Sequence, residues 1–132
     1  MWYAEGDESV AMFPQVRSVT AAELERRLAD GTVLVLDVRT RGEFDGTVGY
    51  PCDPVQGHIP EAIHLELDEL MAAPDPVALL RERAIDPAAE IVAYCHSGQR
   101  SEIAAARLRL AGIDASNYPG SWHEWSRRAI DA

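Results

Sequence analysis

Two unbroken apolar tetrapeptides constrain this chain more than anything else in it. They are Val33-Leu-Val-Leu36, which runs into Asp37, and Ile91-Val-Ala-Tyr94, which runs into Cys95. Four apolar residues in a row, with no polar alternation, suit a strand covered on both faces, as in parallel sheets. Helical patterns lie around them. Thr20 followed by Glu23 is a capping box, Ala21, Leu24 and Leu28 share one helical face, and Gly31 stops the helix. Leu67 to Ala73 and Pro76 to Ala84 read as two short helices broken by Pro74 and Pro76, and Ser101 to Ala111 as a longer one ended by Gly112. Arg17 to Val19, Ala62 to Leu65 and Ala115 to Tyr118 supply further short strands. Ser121 with Glu124 opens a final helix, whose Trp122 and Trp125 at i, i+3 pack it onto the domain. Strands alternating with helices make an α/β protein, with a parallel sheet, right-handed crossovers and helices on both faces.

At 132 residues the chain suits one domain, expected over 17–132 behind an N-terminal arm at 1–16 that shows no period. A formal charge of −10 gives the wrong long-range sign for nucleic acid or an anionic membrane, so neither is an expected partner. An anionic substrate would need local positive potential. Two cysteines are too few for a disulfide scaffold, and acidic residues stand where a signal peptide would be basic; the expected location is the cytoplasm.

The chemistry concentrates between the second apolar run and the helix after it. Cys95 to Arg100 is a six-residue loop that begins with a thiol and ends with a guanidinium. Such a loop can turn successive N–H groups inward, backed by the positive end of the helix dipole, and lower a thiol pKa toward neutrality. Two readings of Cys95 stay open on these residues: a small core hydrophobe ending a strand, or a nucleophile over an anion cradle. Asp37 and Arg39, at the carboxyl end of the first run, are read as a partly buried pair holding their loop. Arg41 to Gln56 reads as a long loop with three glycines and two prolines. Its Cys52 is either incidental or a resolving thiol. His58, beside Gly57 and before Ile59-Pro60, reads as a hydrogen-bonded turn histidine, and His64 as structural. The Cys and His residues lack zinc-ligand spacing, so no metal is expected, and no cofactor.

Tyr94-Cys-His-Ser-Gly-Gln-Arg-Ser101 resembles the active-site loop of rhodanese-type sulfurtransferases, and three further segments agree in order. These are Val35-Leu-Asp37-Val-Arg39, Gly57-His-Ile-Pro-Glu-Ala62 and Asn117-Tyr-Pro-Gly-Ser-Trp-His-Glu-Trp125. The last is similar to a stretch in the catalytic half of tandem-domain thiosulfate and 3-mercaptopyruvate sulfurtransferases. The resemblance implies a five-stranded, mostly parallel central sheet with the active loop at a strand's carboxyl end. It implies a persulfide on Cys95, with sulfane sulfur taken from thiosulfate or a related donor and passed to cyanide, another thiophile or a partner protein. Binding of substrate and persulfide falls to His96, Ser97, Gly98, Gln99 and Arg100, with Asp37, Arg39 and His58 as structural support. In many animal tandem enzymes an arginine follows the glycine matching Gly42; here that residue is Glu43, and Arg41 is the expected substitute. Mercaptopyruvate enzymes commonly show Cys-Gly-Ser/Thr-Gly, which differs from Cys95-His-Ser-Gly98 and favours thiosulfate. Cysteine-dependent phosphatases and arsenate reductases use Cys, five residues, then Arg. Four residues separate Cys95 from Arg100, which ranks that chemistry lower. A non-catalytic binding module on the same fold is the remaining alternative.

Overall fold

A computed structural model describes residues 15–131. The arm expected over residues 1–16 falls almost wholly outside them. The elements run α1 (Ala21–Asp30), β1 (Leu34–Asp37), α2 (Arg41–Asp45), β2 (Ile63–His64), α3 (Leu67–Ala72), α4 (Pro76–Glu82), β3 (Ile91–Tyr94), α5 (Gln99–Leu110), β4 (Ala115–Asn117) and α6 (Ser121–Asp131). The sheet is parallel throughout, in the order β2-β1-β3-β4, with Leu36 opposite Ala93 and Asp37 opposite Tyr94 at its centre.

Side chains along the central strands alternate between two cores. Leu36, Val38, Ile91, Ala93 and Cys95 face one way and meet Leu70, Leu80, Ala104, Ala105 and Leu108 from α3, α4 and α5. Val35, Val92 and Tyr94 face the other way and meet Ala21 and Leu24 of α1 and Trp122 of α6. Both faces are covered, which is why the two apolar runs carry no alternation.

The five strands implied by the resemblance are four among the described residues. Arg17 to Val19 lies where the fifth was expected but forms a single bridge, Ser18 to Asn117. It makes two ladder hydrogen bonds, Val19 N–H to the Asn117 carbonyl (2.8 Å) and Asn117 N–H to the Arg17 carbonyl (2.9 Å). Thr20 then caps α1 through the expected box with Glu23, so the chain turns into helix before the ladder can lengthen.

A second difference lies in the stretch read as one long loop. Its first five residues form α2, capped at Thr40, whose hydroxyl accepts from Glu43 N–H while Glu43 Oε1 accepts from Thr40 N–H. Gly42 inside the Thr40-x-x-Glu43 capping box and Gly46 after it obscured the signal.

Asp37, Arg39 and Tyr94 bind the carboxyl edge of the sheet together. Arg39 is 1% exposed, and its Nη2 donates to Asp37 Oδ2 (2.7 Å) and to the Gly57 carbonyl (2.6 Å). Tyr94 OH donates to Asp37 Oδ2 and accepts from Ile59 N–H at 3.0 Å. The guanidinium also lies 5.4 Å from the Tyr94 ring centroid and 5.3 Å from that of Trp122. A charge so enclosed needs these partners, and together they fix the turn at 57–59 against β1 and β3. His58 Nδ1 bonds the Phe44 carbonyl at 2.8 Å and its ring stacks on Phe44. His64 Nε2 bonds the Arg39 carbonyl at 2.7 Å.

Candidate active site

Cys95 follows β3 directly, and α5 begins four residues later at Gln99. Gly98 is the N-cap of α5 and has no side chain to offer the open N–H groups of the first turn. The cysteine sulfur takes that place. Sγ accepts from Gly98 N–H at 3.1 Å, Ser101 N–H at 3.3 Å and the Ser101 hydroxyl at 3.3 Å. The thiol thus acts as the helix cap, at the positive end of a 12-residue helix. Burial of the 1%-exposed residue works against ionisation. The Ser101 hydroxyl and the N–H groups of Ser101, Gly98 and Ser97 outweigh it, and the pKa falls below the ordinary thiol value.

The loop owes its shape to Gly98, which holds φ +98° with the backbone of Pro119 pressed against it. A Cβ there would meet the Pro119 carbonyl oxygen at 2.7 Å. The Asn117 amide holds the Gly98 carbonyl at 3.2 Å. From the far side α6 closes the frame. Ser121 Oγ accepts from Cys95 N–H (3.1 Å) and donates to the Tyr118 carbonyl (2.9 Å). Trp122 N–H and His123 N–H donate to the carbonyls of Cys95 and His96 at 3.0 and 2.9 Å. Ser101 was not singled out from sequence, and Ser121 was read only as a helix cap with Glu124, whereas its hydroxyl serves Cys95 N–H and Glu124 accepts from the Tyr118 hydroxyl. The place of Ser101 in the first turn of the helix after the thiol was the signal available for the first; nothing local pointed the second toward the active loop.

The remaining expected site residues divide. Arg100 stands on the first turn of α5, but both prongs of its guanidinium engage Glu43, at 3.0 and 3.1 Å. Glu43 therefore anchors a cation instead of standing unpaired beside the Cys95 loop. Burial raises the Glu43 pKa, yet Arg100 and Thr40 more than offset this and bring it to about 2. Arg41 is exposed; it pairs with Asp45 at 3.3 Å and lies over the Phe44 ring. The hydrogen bonds to the Cys95 sulfur do not involve it. Ser97 and Gln99 are exposed and bonded to each other, Oγ to Oε1, at 2.7 Å. Ser97 and Pro119 border two clefts of about 200 and 460 Å³ that flank the loop. His96 turns to a separate group: its Nε2 lies 2.8 Å from Asp53 Oδ2, and its ring stacks on Tyr50 with centroids 3.7 Å apart. Cys52, Asp53, His96 and His123 place one ligand-type atom each within 4.8 Å of one another, a grouping that their spacing along the chain concealed.

A family model described as "Rhodanese-like domain" matches residues 20–128. The chain belongs to the rhodanese-like family. It is 38% identical over 119 residues to a "Probable 3-mercaptopyruvate sulfurtransferase" of Pseudomonas aeruginosa, covering 81% of this chain and 40% of the relative. It is 33% identical over 125 residues to a thiosulfate sulfurtransferase of Corynebacterium glutamicum, covering 83% of this chain and 40% of the relative. A crystal structure of a "Probable Thiosulfate Sulfurtransferase" superimposes with a TM-score of 0.71 at 40% identity, over 84% of this chain and 45% of that one. The domain thus spans less than half the length of each. No helix among the described residues is long and apolar enough to cross a membrane.

Proposed function

We propose that this rhodanese-like domain transfers sulfane sulfur from thiosulfate, through a persulfide on Cys95, to cyanide or another thiophilic acceptor. One observation carries the reading: three donors converge on a nearly enclosed sulfur at a helix start, an arrangement suited to a sulfur anion. The Cys95 thiolate attacks the outer sulfur of thiosulfate. A new S–S bond forms, the bond to the sulfonate sulfur breaks, and sulfite leaves with the electron pair. Cyanide then attacks the terminal sulfur, thiocyanate departs, and the thiolate is restored.

Gly98 and Ser101 stabilise the resting thiolate, and the N–H groups of residues 96–100 the persulfide's outer sulfur, which carries the charge once Sγ is bonded to it. Arg100, braced by Glu43, holds the first turn of α5 and adds positive potential. His96, Ser97 and Gln99 complete the loop, Asp37, Arg39 and His58 support the sheet edge beneath it, and Arg41 serves at most as an outer charge. Names of relatives include both thiosulfate and 3-mercaptopyruvate enzymes. The Cys-His-Ser-Gly loop favours thiosulfate as donor.

Intact mass before and after thiosulfate treatment tests the reading. The protein is expected to gain one sulfur atom, lose it on adding cyanide with release of thiocyanate, and gain none as Cys95→Ser. Sulfur loading that survives Cys95→Ser would overturn it.

A further inference from the structure

A second chemical centre lies beside the active loop, built from Cys52 and Asp53, from His96 and from His123 of α6. The Asp53 side chain is fully buried, and the other groups are arranged around its carboxylate. His96 Nε2 is 2.8 Å from Oδ2, His123 Nδ1 is 3.6 Å from Oδ1, and Cys52 Sγ is 3.9 Å from Oδ1. Arg127 Nη1 also donates to Oδ1, at 3.1 Å. The Tyr50 ring walls one side by stacking on His96. We infer that Cys52, Asp53, His96 and His123 form a binding site for a borderline-soft divalent cation of the zinc class.

The donor set supports this on three counts. A thiolate, two imidazoles and a carboxylate are the ligands that tetrahedral zinc takes, whereas calcium or magnesium would require oxygen. The spacing is also close. Bonds of about 2.0–2.3 Å set tetrahedral ligand atoms roughly 3.3–3.7 Å apart. The separations are 2.8 Å from His96 to Asp53 Oδ2 and 3.6 and 3.9 Å from His123 and Cys52 to Oδ1, and with all four ligand atoms within 4.8 Å of one another, shifts of ~1 Å or less bring them to tetrahedral spacing about one cation. Charge balances as well: the Cys52 proton leaves to solvent, and thiolate and carboxylate together neutralise the dication. Arg127 is the competitor for Asp53. Its side chain is 38% exposed and also donates to the carbonyls of Cys52 and His123, so it can release Oδ1 without becoming buried and unpaired. Cys52 and His123 are exposed, which gives the cation an entry path. A bound cation would tie the loop after α2 and the start of α6 to the residue next to Cys95.

Cobalt(II) added to the full chain carrying Cys95→Ser tests the site with the active thiol removed. The expected result is one ion per chain, with sulfur-to-cobalt charge-transfer absorption and tetrahedral d–d bands, both displaced by zinc. Adding His123→Ala, at an exposed position, should weaken cobalt binding by at least ~10-fold, the lower end of what even an outer-shell partner costs. Adding Arg127→Ala instead should tighten it by freeing Asp53. Absent charge-transfer absorption, unchanged affinity in the His123 variant, or unchanged or weaker binding in the Arg127 variant would each overturn the site. Because Cys95 is absent throughout, none of these outcomes bears on sulfur transfer.

Discussion

Arg100 and Glu43 meet in a two-pronged ion pair across 57 residues of sequence, Nη1 to Oε1 at 3.0 Å and Nη2 to Oε2 at 3.1 Å. It joins the first turn of α5, whose open N–H groups the Cys95 sulfur caps, to α2. Parallel, bidentate N–H···O bonds between charged groups are among the stronger polar contacts a protein makes.

This pair sets a pH dependence. The Glu43 pKa is brought from 4.5 to about 2 in the folded chain, so its carboxylate contributes stability above the unfolded value, and that contribution is lost as pH falls through about 2. A shift of this size corresponds to an order of 3 kcal/mol. Glu43→Gln should therefore be less stable than the parent at pH 7, with the gap closing between about pH 5 and pH 2. Urea titrations of both proteins at several pH values measure it; a gap independent of pH would refute the linkage.

Ser101→Ala removes the hydroxyl that most strongly favours the Cys95 thiolate. A hydrogen bond to a charged group favours its charged form. The pH profile for alkylation of Cys95, and that for persulfide formation, should move to higher pH. Identical profiles for variant and parent would show that the hydroxyl does not tune the thiol.

Gly98→Ala should damage both stability and activity. Its φ of +98° disfavours any side chain, and the new Cβ would meet the Pro119 carbonyl oxygen at 2.7 Å. Strain of this kind costs on the order of 1–3 kcal/mol, and relief by moving the loop would pull Gly98 N–H from the sulfur. A lower Tm together with a fall in kcat for thiocyanate formation is expected. Full activity with an unchanged Tm would contradict the close packing.

Tyr94→Phe separates structural support from chemistry. The hydroxyl joins buried Asp37 to the Ile59 N–H, and its loss leaves that N–H without this partner. Destabilisation by about 1–3 kcal/mol is expected, with the Cys95 alkylation profile unchanged, because no bond to the sulfur is touched. Calorimetry and the same alkylation assay distinguish this from a role in tuning the thiol.

Much of the frame was legible because it is local. The two apolar tetrapeptides predict their own burial, since a strand covered on both faces has no polar side to display. The Thr20–Glu23 box and Gly31 delimit α1 within a dozen residues. Cys95 and the start of α5 are neighbours in sequence, so the thiol and the helix dipole behind it could be read together. The Asp37–Arg39 pair was also readable, as two charges flanking Val38 at the end of a buried strand.

Partner choice across the fold was not legible. Glu43 reads as a carboxylate near the substrate until the β2-β1-β3-β4 order brings α2 against α5 and gives it Arg100. Cys52 with Asp53, His96 and His123 come from three separate segments, and no spacing rule applies to ligands that only chain closure assembles. The short ladder at Ser18 depended on where the chain turned into α1, and the role of Ser121 on the position of α6 over the active loop. The sequence by itself determined where the two central strands, α1, α5 and the Cys95 loop between strand and helix lie, because burial patterns and caps act within a few residues. Only the tertiary structure decided which charges are paired and which donors reach the sulfur, because those contacts depend on directions and distances set by packing between distant segments.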